Sequence, residues 1–352
     1  MSGMRFAFLC KSRPEPSGKK VAIVGAGPAG LSAAGYLVCQ GHEVHVYDKL
    51  PEPGGLMLFG IPEFRIPIYR VREGCGELKD IFEVKFFPRT KVVCGECGHE
   101  AGDEFVEKTV HIAELKENYD AVLIATGAWE PWTPELEGAE LQGVYPALEY
   151  LFRIKSAKLG HMEWTDIIHP ESKKILVVGA GHTAVDAALE SVLLGADEVY
   201  LSYRRSIKEA PAGPYEIHQL IQRGVKWLEK TMPVRIIGDG KVRAVEMVRM
   251  ELGEPDASGR RRPVPVEGSE FRLEVDYVIF AVGQTPTPPA GEGVEIARDK
   301  KGRVVVDGRH MTSVEGIFAA GDVVTGPSKV GQAVKDGLYA ARSMHMWMMG
   351  GE

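Results

Sequence analysis

One pattern occurs twice in this chain and constrains its fold more than any other feature. A short apolar strand at Lys20–Val24 runs into the glycine-rich loop GAGPAG, which begins at Gly25 and leads into a predicted helix. A second apolar strand, Lys174–Val178, runs into GAGHTA at Gly179 and again into a predicted helix. Another short apolar strand follows each helix, which is the order of a βαβ unit. The repeat predicts two similar α/β domains.

A second pair of matching segments closes each unit. Residues 119–124 lead into the turn ATG at 125–127, and residues 276–280 lead into AVG at 281–283. Continuous apolar runs of this kind are typical of parallel strands buried on both faces. The tail at 316–322, GIFAAGD, is a further strand and turn, and the middle of the sequence contains no counterpart. We therefore assign the tail to the first domain and treat the second domain as an insertion.

These matches set the predicted fold class and the domain boundaries. The fold is α/β, with two Rossmann-like dinucleotide-binding domains, one inserted in the other. Prolines on both sides of the middle segment mark the joints. The expected division is an N-terminal extension at 1–19, a discontinuous outer domain at 20–129 and 285–352, and an inserted domain at 130–284.

The first glycine loop has the context that a dinucleotide fingerprint requires. Gly25 permits a tight turn, Gly27 lets the backbone approach a pyrophosphate, and Gly30 allows close packing of helix on strand. The N-terminus of the following helix faces the phosphates. Asp48 ends the next strand, where a carboxylate accepts hydrogen bonds from the hydroxyls of an adenosine ribose. The loop is therefore predicted to bind a dinucleotide.

The second loop differs at the end of its next strand. The position that corresponds to Asp48 by counting is Ser202, and Arg204 and Arg205 follow it. A carboxylate there would repel a 2′-phosphate, by about 1 kcal/mol in water and about 4 kcal/mol near a protein surface. Its absence beside two guanidinium groups favours NADP over NAD. The alternative is that the two arginines form a solvated pair at the start of a helix.

Two further segments suit a flat ligand. Paired glycines in EPGGLMLFGIPEFR, residues 52–65, let the backbone pass close to a ring system. In the tail, Asp322 places a carboxylate at a strand end, where it can accept a hydrogen bond from a ribityl hydroxyl. The last helix begins near Gln332, and its positive N-terminal end suits the negative charge of a reduced flavin.

Together these motifs resemble one family. GAGPAG, EPGGLMLFGIPEFR, VVGAGHTAVDAA with LSYRRS, and FAAGD are similar to the small (β) subunit of glutamate synthase and its relatives in the FAD-dependent pyridine nucleotide–disulphide oxidoreductase superfamily. The resemblance covers nearly the whole chain from Lys20. It implies FAD in the outer domain and NADPH in the inserted one.

The resemblance also implies a set of cofactor-binding residues. The candidates for FAD are Gly25, Gly27, Pro28, Ala29, Gly30, Asp48, Lys49, Gly55, Leu56, Gly60, Ile61, Arg65, Val93, Thr126, Gly127, Gly321, Asp322, Gln332 and Ala333. The candidates for NADPH are Gly179, Gly181, His182, Thr183, Arg204, Arg205 and Gly283.

The chain departs from that family in two places. The family's small subunit begins with a cysteine-rich domain that binds iron–sulfur clusters, whereas Cys10 is the only cysteine before the first strand here. We therefore expect no cluster, and the electrons leave the flavin by another route. The second departure is an inserted stretch at 94–110, between two strands of the outer domain.

The expected chemistry is hydride transfer between two cofactors, so no catalytic side chain is predicted. Disulfide reductases of the superfamily carry their cysteine pair after the paired glycines or in the NADPH domain. This chain has Leu56–Phe59 at the first place and no cysteine after Cys97, which excludes both. Its five cysteines do not form a disulfide framework. Cys94 and Cys97 are incidental thiols, a labile disulfide, or part of a metal site that needs two more ligands; we predict no metal.

Composition limits the partners and the location. The net charge of −7 comes without any basic block, so nucleic acid is not an expected partner. No apolar run approaches the roughly 20 residues of a membrane span, and the apolar patch at the N-terminus is too short for a signal peptide. We expect a cytoplasmic protein. The single Asn118 among many Glu, Lys, Arg and Pro residues indicates a thermophilic source.

The leading interpretation is an oxidoreductase that passes electrons from NADPH through FAD to a protein acceptor or a large catalytic subunit, first of all that of glutamate synthase. One alternative is a stand-alone NAD(P)H oxidoreductase that reduces ferredoxin, a quinone or a dye. Another is a subunit that binds nucleotides inside a larger dehydrogenase and has no turnover of its own.

Overall fold

The computed structural model describes residues 4–95, 98–255, 261–291 and 293–351. They form two compact units. The first unit comprises Met1–Glu130 and Gln284–Glu352, and the second comprises Pro131–Gly283. The unit boundaries lie one residue from the expected joints. The assignment of one cofactor to each unit stays a prediction.

The strands of the described residues are short, apart from two of nine and fifteen residues in the second half of the chain. They are β1 Lys20–Val24, β2 Glu43–Tyr47, β3 Lys85–Phe87, β4 Thr90–Val93, β5 Lys108–His111, β6 Ala121–Ile124, β7 Glu130–Pro131, β8 Val144–Pro146, β9 Lys174–Val178, β10 Glu198–Tyr203, β11 Lys226–Glu229, β12 Thr231–Asp239, β13 Lys241–Pro255, β14 Arg261–Pro265, β15 Phe271–Glu274, β16 Tyr277–Phe280, β17 Gln284–Thr285 and β18 Ile317–Ala319.

The α-helices of the same residues are α1 Pro28–Val38, α2 Leu56–Phe59, α3 Ile68–Asp80, α4 Ile112–Asn118, α5 Ala147–Lys158, α6 His182–Leu193, α7 Pro214–Gln222, α8 Asp322–Thr325 and α9 Val330–Met348. Short 3₁₀ turns lie at Asp103–Phe105, Trp164–Asp166 and Ile207–Glu209. Within the described residues, no helix is both long and apolar enough to cross a membrane.

The first unit is built on a five-stranded parallel sheet with the order β18-β6-β1-β2-β3. The central strand β1 is almost fully buried, as its apolar sequence requires. In register, Val24 lies beside Tyr47 on one side and Ile124 on the other. The strands that carry the glycine loop, the acid and the ATG turn therefore end at one edge, where open α/β sheets bind ligands.

The second unit repeats this arrangement. Its parallel sheet has the order β11-β10-β9-β16-β8, so four strands match β3-β2-β1-β6 of the first unit. The two sheets confirm the predicted fold class. The expectation that the tail strand has no counterpart was wrong: β8 pairs with β16 at the edge that β18 occupies beside β6. The counterpart was missed because β8 precedes the repeat in the chain.

The second unit also contains an antiparallel sheet, which the repeat does not predict. Strands β12, β13 and β14 follow in order, and β15 pairs with β13. Val245 and Met247 of β13 are buried. They pack with Val278 and Phe280 of β16 in one hydrophobic cluster.

One disulfide joins the N-terminal extension to the first unit. Cys10 and Cys39 are bonded, with their Cα atoms 5.5 Å apart. Cys39 directly follows α1, and the neighbouring Phe6 of the extension is buried. The cysteines form no framework of several bridges in the described residues, but this single bond was not expected. The sequence gives no sign of it because the two residues meet only when α1 is packed.

Candidate cofactor-binding sites

The first glycine loop makes the close approaches that its glycines permit. Gly25 has a φ of +106°, and a Cβ added there would lie 2.3 Å from the carbonyl oxygen of Ala125. A Cβ at Gly30 would lie 1.9 Å from the carbonyl oxygen of Gly25. Gly27 precedes α1, and a Cβ there would meet nothing within 4 Å. The loop is therefore tight on its inner side and open at Gly27, where a pyrophosphate would lie.

Asp48 follows β2 directly and is bonded to the same loop. Its carboxylate accepts hydrogen bonds from the backbone N–H of Ala26, at 2.5 Å, and of Leu50, at 2.8 Å. Burial raises the pKa of Asp48 above its ordinary value, against the effect of these two donors. The acid is thus held beside the first loop, as the ribose contact requires.

The paired glycines return over the first loop. The backbone N–H of Gly54 donates to the carbonyl oxygen of Ala26 at 2.9 Å. Gly55 has a φ of +52°, and a Cβ there would lie 2.7 Å from the Cα of Gly27. A side chain at Gly55 would press into the loop, which explains why glycine stands there.

Thr126 and Gly127 form a third wall beside the loop. A Cβ at Gly25 would lie 3.1 Å from the backbone nitrogen of Thr126. The hydroxyl of Thr126 is buried and has no hydrogen-bond partner within the described part of the chain. Buried hydroxyls are normally paired, so this one fits a polar group of a bound dinucleotide. The open face at Gly27 fits the same ligand.

The tail turn comes to the start of α1. Gly321 has a φ of +80°, and a Cβ there would lie 2.8 Å from the Cβ of Ala29 and 3.9 Å from that of Ala333. Burial raises the pKa of Asp322, which accepts a hydrogen bond from the hydroxyl of Ser328 at 2.6 Å. The tail therefore joins the first loop, as the sequence predicts for a flavin site.

Asp336 is a residue that sequence reasoning missed. It lies on α9, is 8% exposed, and accepts the backbone N–H of Gly321 at 2.6 Å. This bond fixes the turn that presents Asp322. An acid inside an apolar helical face was the available signal.

The other FAD candidates are less directly placed. Leu56 and Gly60 lie at the ends of α2, which leads away from the paired glycines through Ile61. The guanidinium of Arg65 lies 5.6 Å from the ring centre of Phe64. The remaining candidates are Pro28, the first residue of α1, Val93, the last residue of β4, and Gln332, in the first turn of α9. Pro28 is part of the first loop itself, and the role of all seven residues in cofactor binding stays a prediction.

Lys49 was predicted to contact the cofactor, which stays a prediction, and its ammonium group is held by protein acceptors. It donates to a carboxylate oxygen of Glu100 and to the carbonyl oxygen of Ala101, both at 2.7 Å. These partners belong to the inserted stretch.

The second loop repeats the first. Gly179 has a φ of +131°, and a Cβ there would lie 2.4 Å from the carbonyl oxygen of Ala281. Gly181 precedes α6 and is open within 4 Å. Ala184 is fully buried at the place of the third glycine. His182 and Thr183 begin α6. At the AVG turn, Gly283 has a φ of +142°. The backbone of this loop fits a second dinucleotide.

The end of β10 corrects the counted alignment by one residue. Ser202, not the residue before it, pairs with Val178, just as Tyr47 pairs with Val24. The carbonyl oxygen of Ser202 accepts the N–H of Gly179, as that of Tyr47 accepts the N–H of Gly25. The structural counterpart of Asp48 is therefore Tyr203, because the segment between the glycine loop and the next strand is one residue longer in the second unit. No acid stands there in either alignment.

The two arginines after β10 have different surroundings. Arg204 is exposed, whereas Arg205 is only 6% exposed. The Nε of Arg205 donates to the carbonyl oxygen of Arg261 at 3.0 Å. Arg204 thus has the accessibility that a contact with a 2′-phosphate needs, and Arg205 supports the turn.

Ala212 is a second residue that the sequence did not reveal. Its N–H donates to the carbonyl oxygen of Ala180 at 3.0 Å, which repeats the bond from Gly54 to Ala26. Gly213 follows with a φ of +89°. The segment PAGP at 211–214 was the available signal for a turn returning over the loop.

The CxxC pair lies partly outside the described residues. Cys94 is buried, and Cys97 is not among the residues that the structure describes. Among those described, no group of three or more His, Cys, Asp or Glu side chains is arranged to hold a metal ion.

Three kinds of similarity to known proteins indicate the family and the fold of this chain. A family model described as pyridine nucleotide-disulphide oxidoreductase matches residues 19–337. The glutamate synthase [NADPH] small chain of Halomonas elongata is 37% identical over 96% of this chain and 71% of its own length. The NADP(+)-dependent formate dehydrogenase subunit beta of Moorella thermoacetica is 37% identical over 95% of this chain, which spans only 45% of that relative.

Solved structures share the fold at low identity. Mycobacterium tuberculosis FprA in complex with NADPH superposes with a TM-score of 0.76 at 20% identity, over 96% of this chain and 85% of that one. Thioredoxin reductase of T. acidophilum gives a TM-score of 0.64 at 22% identity, over 94% and 99% of the two chains.

Proposed function

The chain belongs to the pyridine nucleotide-disulphide oxidoreductase family, and on that premise we propose that it passes electrons from NADPH through FAD to a partner protein. The family makes it an NADPH-dependent oxidoreductase with FAD and NADPH as cofactors. The single observation that carries the proposal is the pair of glycine loops. Each loop is open at its second glycine, and the side chains at the end of the next strand differ between the two units.

The chain's own residues bind and orient rather than exchange protons. Hydride transfer from NADPH to FAD is the chemistry that the two cofactors supply. In the proposed FAD site, Asp48 accepts ribose hydroxyls, the N-terminus of α1 faces the pyrophosphate, and Asp322 accepts a ribityl hydroxyl. In the proposed NADPH site, the N-terminus of α6 faces the pyrophosphate and Arg204 meets the 2′-phosphate.

Two observations support an acceptor outside the described residues. The segment after the paired glycines, Leu56–Phe59, contains no cysteine, and the second unit contains none. The disulfide of Cys10 and Cys39 lies beyond the C-terminal end of α1, whose 11 residues span about 16 Å from the cofactor loop. The disulfide therefore lies at the opposite end of α1 from the proposed pyrophosphate site.

We favour a large catalytic subunit as the acceptor, with the glutamate synthase large subunit as the first candidate. Relatives that are small chains or β subunits of larger enzymes support this choice. The test adds purified glutamate synthase large subunit and its substrates to the FAD-loaded chain and follows NADPH oxidation without oxygen. We expect oxidation that requires both proteins.

The stand-alone alternative predicts a different result. NADPH oxidation with ferredoxin, a quinone or a dye would then be fast without any large subunit, and adding that subunit would not change the rate. This outcome would replace the partner in the proposal but leave the roles of FAD and NADPH in place.

A further inference from the structure

One buried cation, the ammonium group of Lys49, contacts the inserted stretch between β4 and β5. Lys49 is 8% exposed, and its ammonium donates to Glu100 and to the carbonyl oxygen of Ala101, both at 2.7 Å. The second carboxylate oxygen of Glu100 accepts the hydroxyl of Thr287. The cation is therefore held from one side by residues that the family resemblance does not explain.

An indole ring lies on another side of the same ammonium. The Nζ of Lys49 is 3.9 Å from the ring centre of Trp129, within the range of a cation–π interaction. Trp129 is 6% exposed, and its indole N–H donates to the carbonyl oxygen of Thr126 at 2.8 Å. The ring thus connects the cation to the turn that carries the unpaired Thr126 hydroxyl.

The backbone of Lys49 is tied to the other half of the site. It directly follows Asp48, whose carboxylate holds the N–H of Ala26 and of Leu50. One side chain therefore links three parts of the unit: the end of β2 with its acid, the inserted stretch, and the turn after β6.

We propose that Lys49 is a positioning residue for FAD that does not touch the cofactor. Through its contacts with Glu100 and Trp129, it fixes the distance between Asp48 and the turn that carries Thr126. This inference rests on the proposed function, since it assumes that the first unit binds FAD. An ammonium group has three N–H donors. Glu100 and Ala101 take two of them, and the third side faces the indole. No donor is left for a phosphate.

The charge balance of the cluster makes Glu100 essential to it. Burial lowers the pKa of Lys49, and Glu100 opposes this shift. A buried ion pair is costly to break from one side, because the remaining charge is left without compensation. Removing only Glu100 should therefore disturb the site as much as removing Lys49, and removing both should disturb it no more than either change alone.

The test measures FAD binding to the apoprotein by quenching of flavin fluorescence, well below the thermal midpoint of each variant. The variants are Lys49→Met, Glu100→Gln and the double variant, with Lys85→Met as a control. Lys85 of β3 lies in the same unit and forms an exposed ion pair with Glu43 at 2.7 Å.

We expect each of the two single variants to bind FAD about 10-fold or more weakly, the double variant to bind no worse than the weaker single, and Lys85→Met to stay within about twofold. Tighter binding by Glu100→Gln would overturn the proposal, because it would mean that a freed ammonium contacts the cofactor. Unchanged binding by Lys49→Met, or an equal loss in the control, would also overturn it.

Two further measurements allow the proposal to be tested if the first variant fails. If Lys49→Met does not fold, Trp129→Phe carries the test, since it removes the N–H to Thr126 and keeps a ring beside the ammonium. FAD binding equal to that of the unsubstituted chain would then contradict the proposal. Failure of the unsubstituted chain to bind FAD would instead contradict the proposed function.

Discussion

The two glycine loops of this molecule have nearly identical backbones. The side chains at the end of the strand that follows each loop differ in charge and burial. In both, the first glycine has a positive φ and lies against the carbonyl oxygen of the closing turn, Ala125 or Ala281. In both, a later segment returns and donates an N–H to the alanine of the loop. The backbone thus provides the same cradle for a pyrophosphate twice.

The side chains after the second strand differ. Asp48 and Lys49 in the first unit correspond by register to Tyr203 and Arg204 in the second. Lys49 is buried under the inserted stretch, whereas Arg204 is exposed. This difference supports the proposal that each loop binds a dinucleotide and that the residues at the end of the next strand select which one. The predictions below test this division, beginning with the largest expected effect.

Replacing the first glycine of either loop should abolish binding in that unit alone. Alanine at Gly25 would combine an unfavourable positive φ with a 2.3 Å approach to a backbone oxygen. We expect at least about 100-fold weaker FAD binding, from strain of about 3 kcal/mol. Gly179→Ala should act likewise on NADP⁺ binding. Calorimetric titration of each variant with both nucleotides checks this, and equal losses of both ligands in one variant would contradict it.

Removing the acid should weaken only the FAD site. Asp48→Ala loses the ribose acceptor and the bonds to Ala26 and Leu50. Hydrogen bonds to a charged group contribute about 1.5–3 kcal/mol, so we expect FAD binding weaker by about 10- to 100-fold. Equilibrium dialysis against FAD measures the change. Tyr203→Ala is the matched control in the second unit and should leave FAD binding unchanged.

Removing the exposed arginine should change nucleotide selectivity. Arg204→Ala loses a charge-assisted contact with the 2′-phosphate, so the ratio of kcat/KM for NADPH over NADH should fall about 10-fold. Arg205→Ala should lower the thermal midpoint instead, because Arg205 is buried and bonded to Arg261. If Arg205→Ala changes the ratio more than Arg204→Ala does, the assignment of the two arginines is reversed.

The smallest effect is expected at Ser202. Its hydroxyl bonds to Thr231, at 3.0 Å to the carbonyl oxygen and 2.9 Å to Oγ1, and so does not face a ligand. Ser202→Ala should cost about 1 kcal/mol of unfolding free energy and leave the selectivity ratio within about twofold. Denaturant unfolding together with the two kcat/KM values checks both. A large change in the ratio would restore the alignment obtained by counting.

Much of the fold could be predicted because its signals are local. The strands Lys20–Val24, Glu43–Tyr47 and Lys174–Val178 are continuous or alternating apolar runs, and their observed bounds match the predicted ones. The glycines that must approach a backbone oxygen follow them directly. A local pattern of this kind needs no knowledge of distant residues.

The rest depends on contacts between residues that are distant in sequence. The edge strand β8, the bond between Cys10 and Cys39, and the ion pair of Lys49 with Glu100 all join distant segments. The extra residue between the second glycine loop and β10 is recognised only when the register of β10 against β9 is known. The sequence located both loops, but it does not show that the partners of Lys49 come from the inserted stretch. The expected cytoplasmic location and thermophilic source stay predictions.

The most direct test of the account is an anaerobic titration of the FAD-loaded chain with NADPH. If one loop binds FAD and the other NADPH, the flavin absorption band should bleach with about one equivalent of NADPH, and NADH should require a much larger excess. A band that stays unchanged while calorimetry shows both nucleotides bound would contradict the account, because the chain would then bind its cofactors without passing electrons between them.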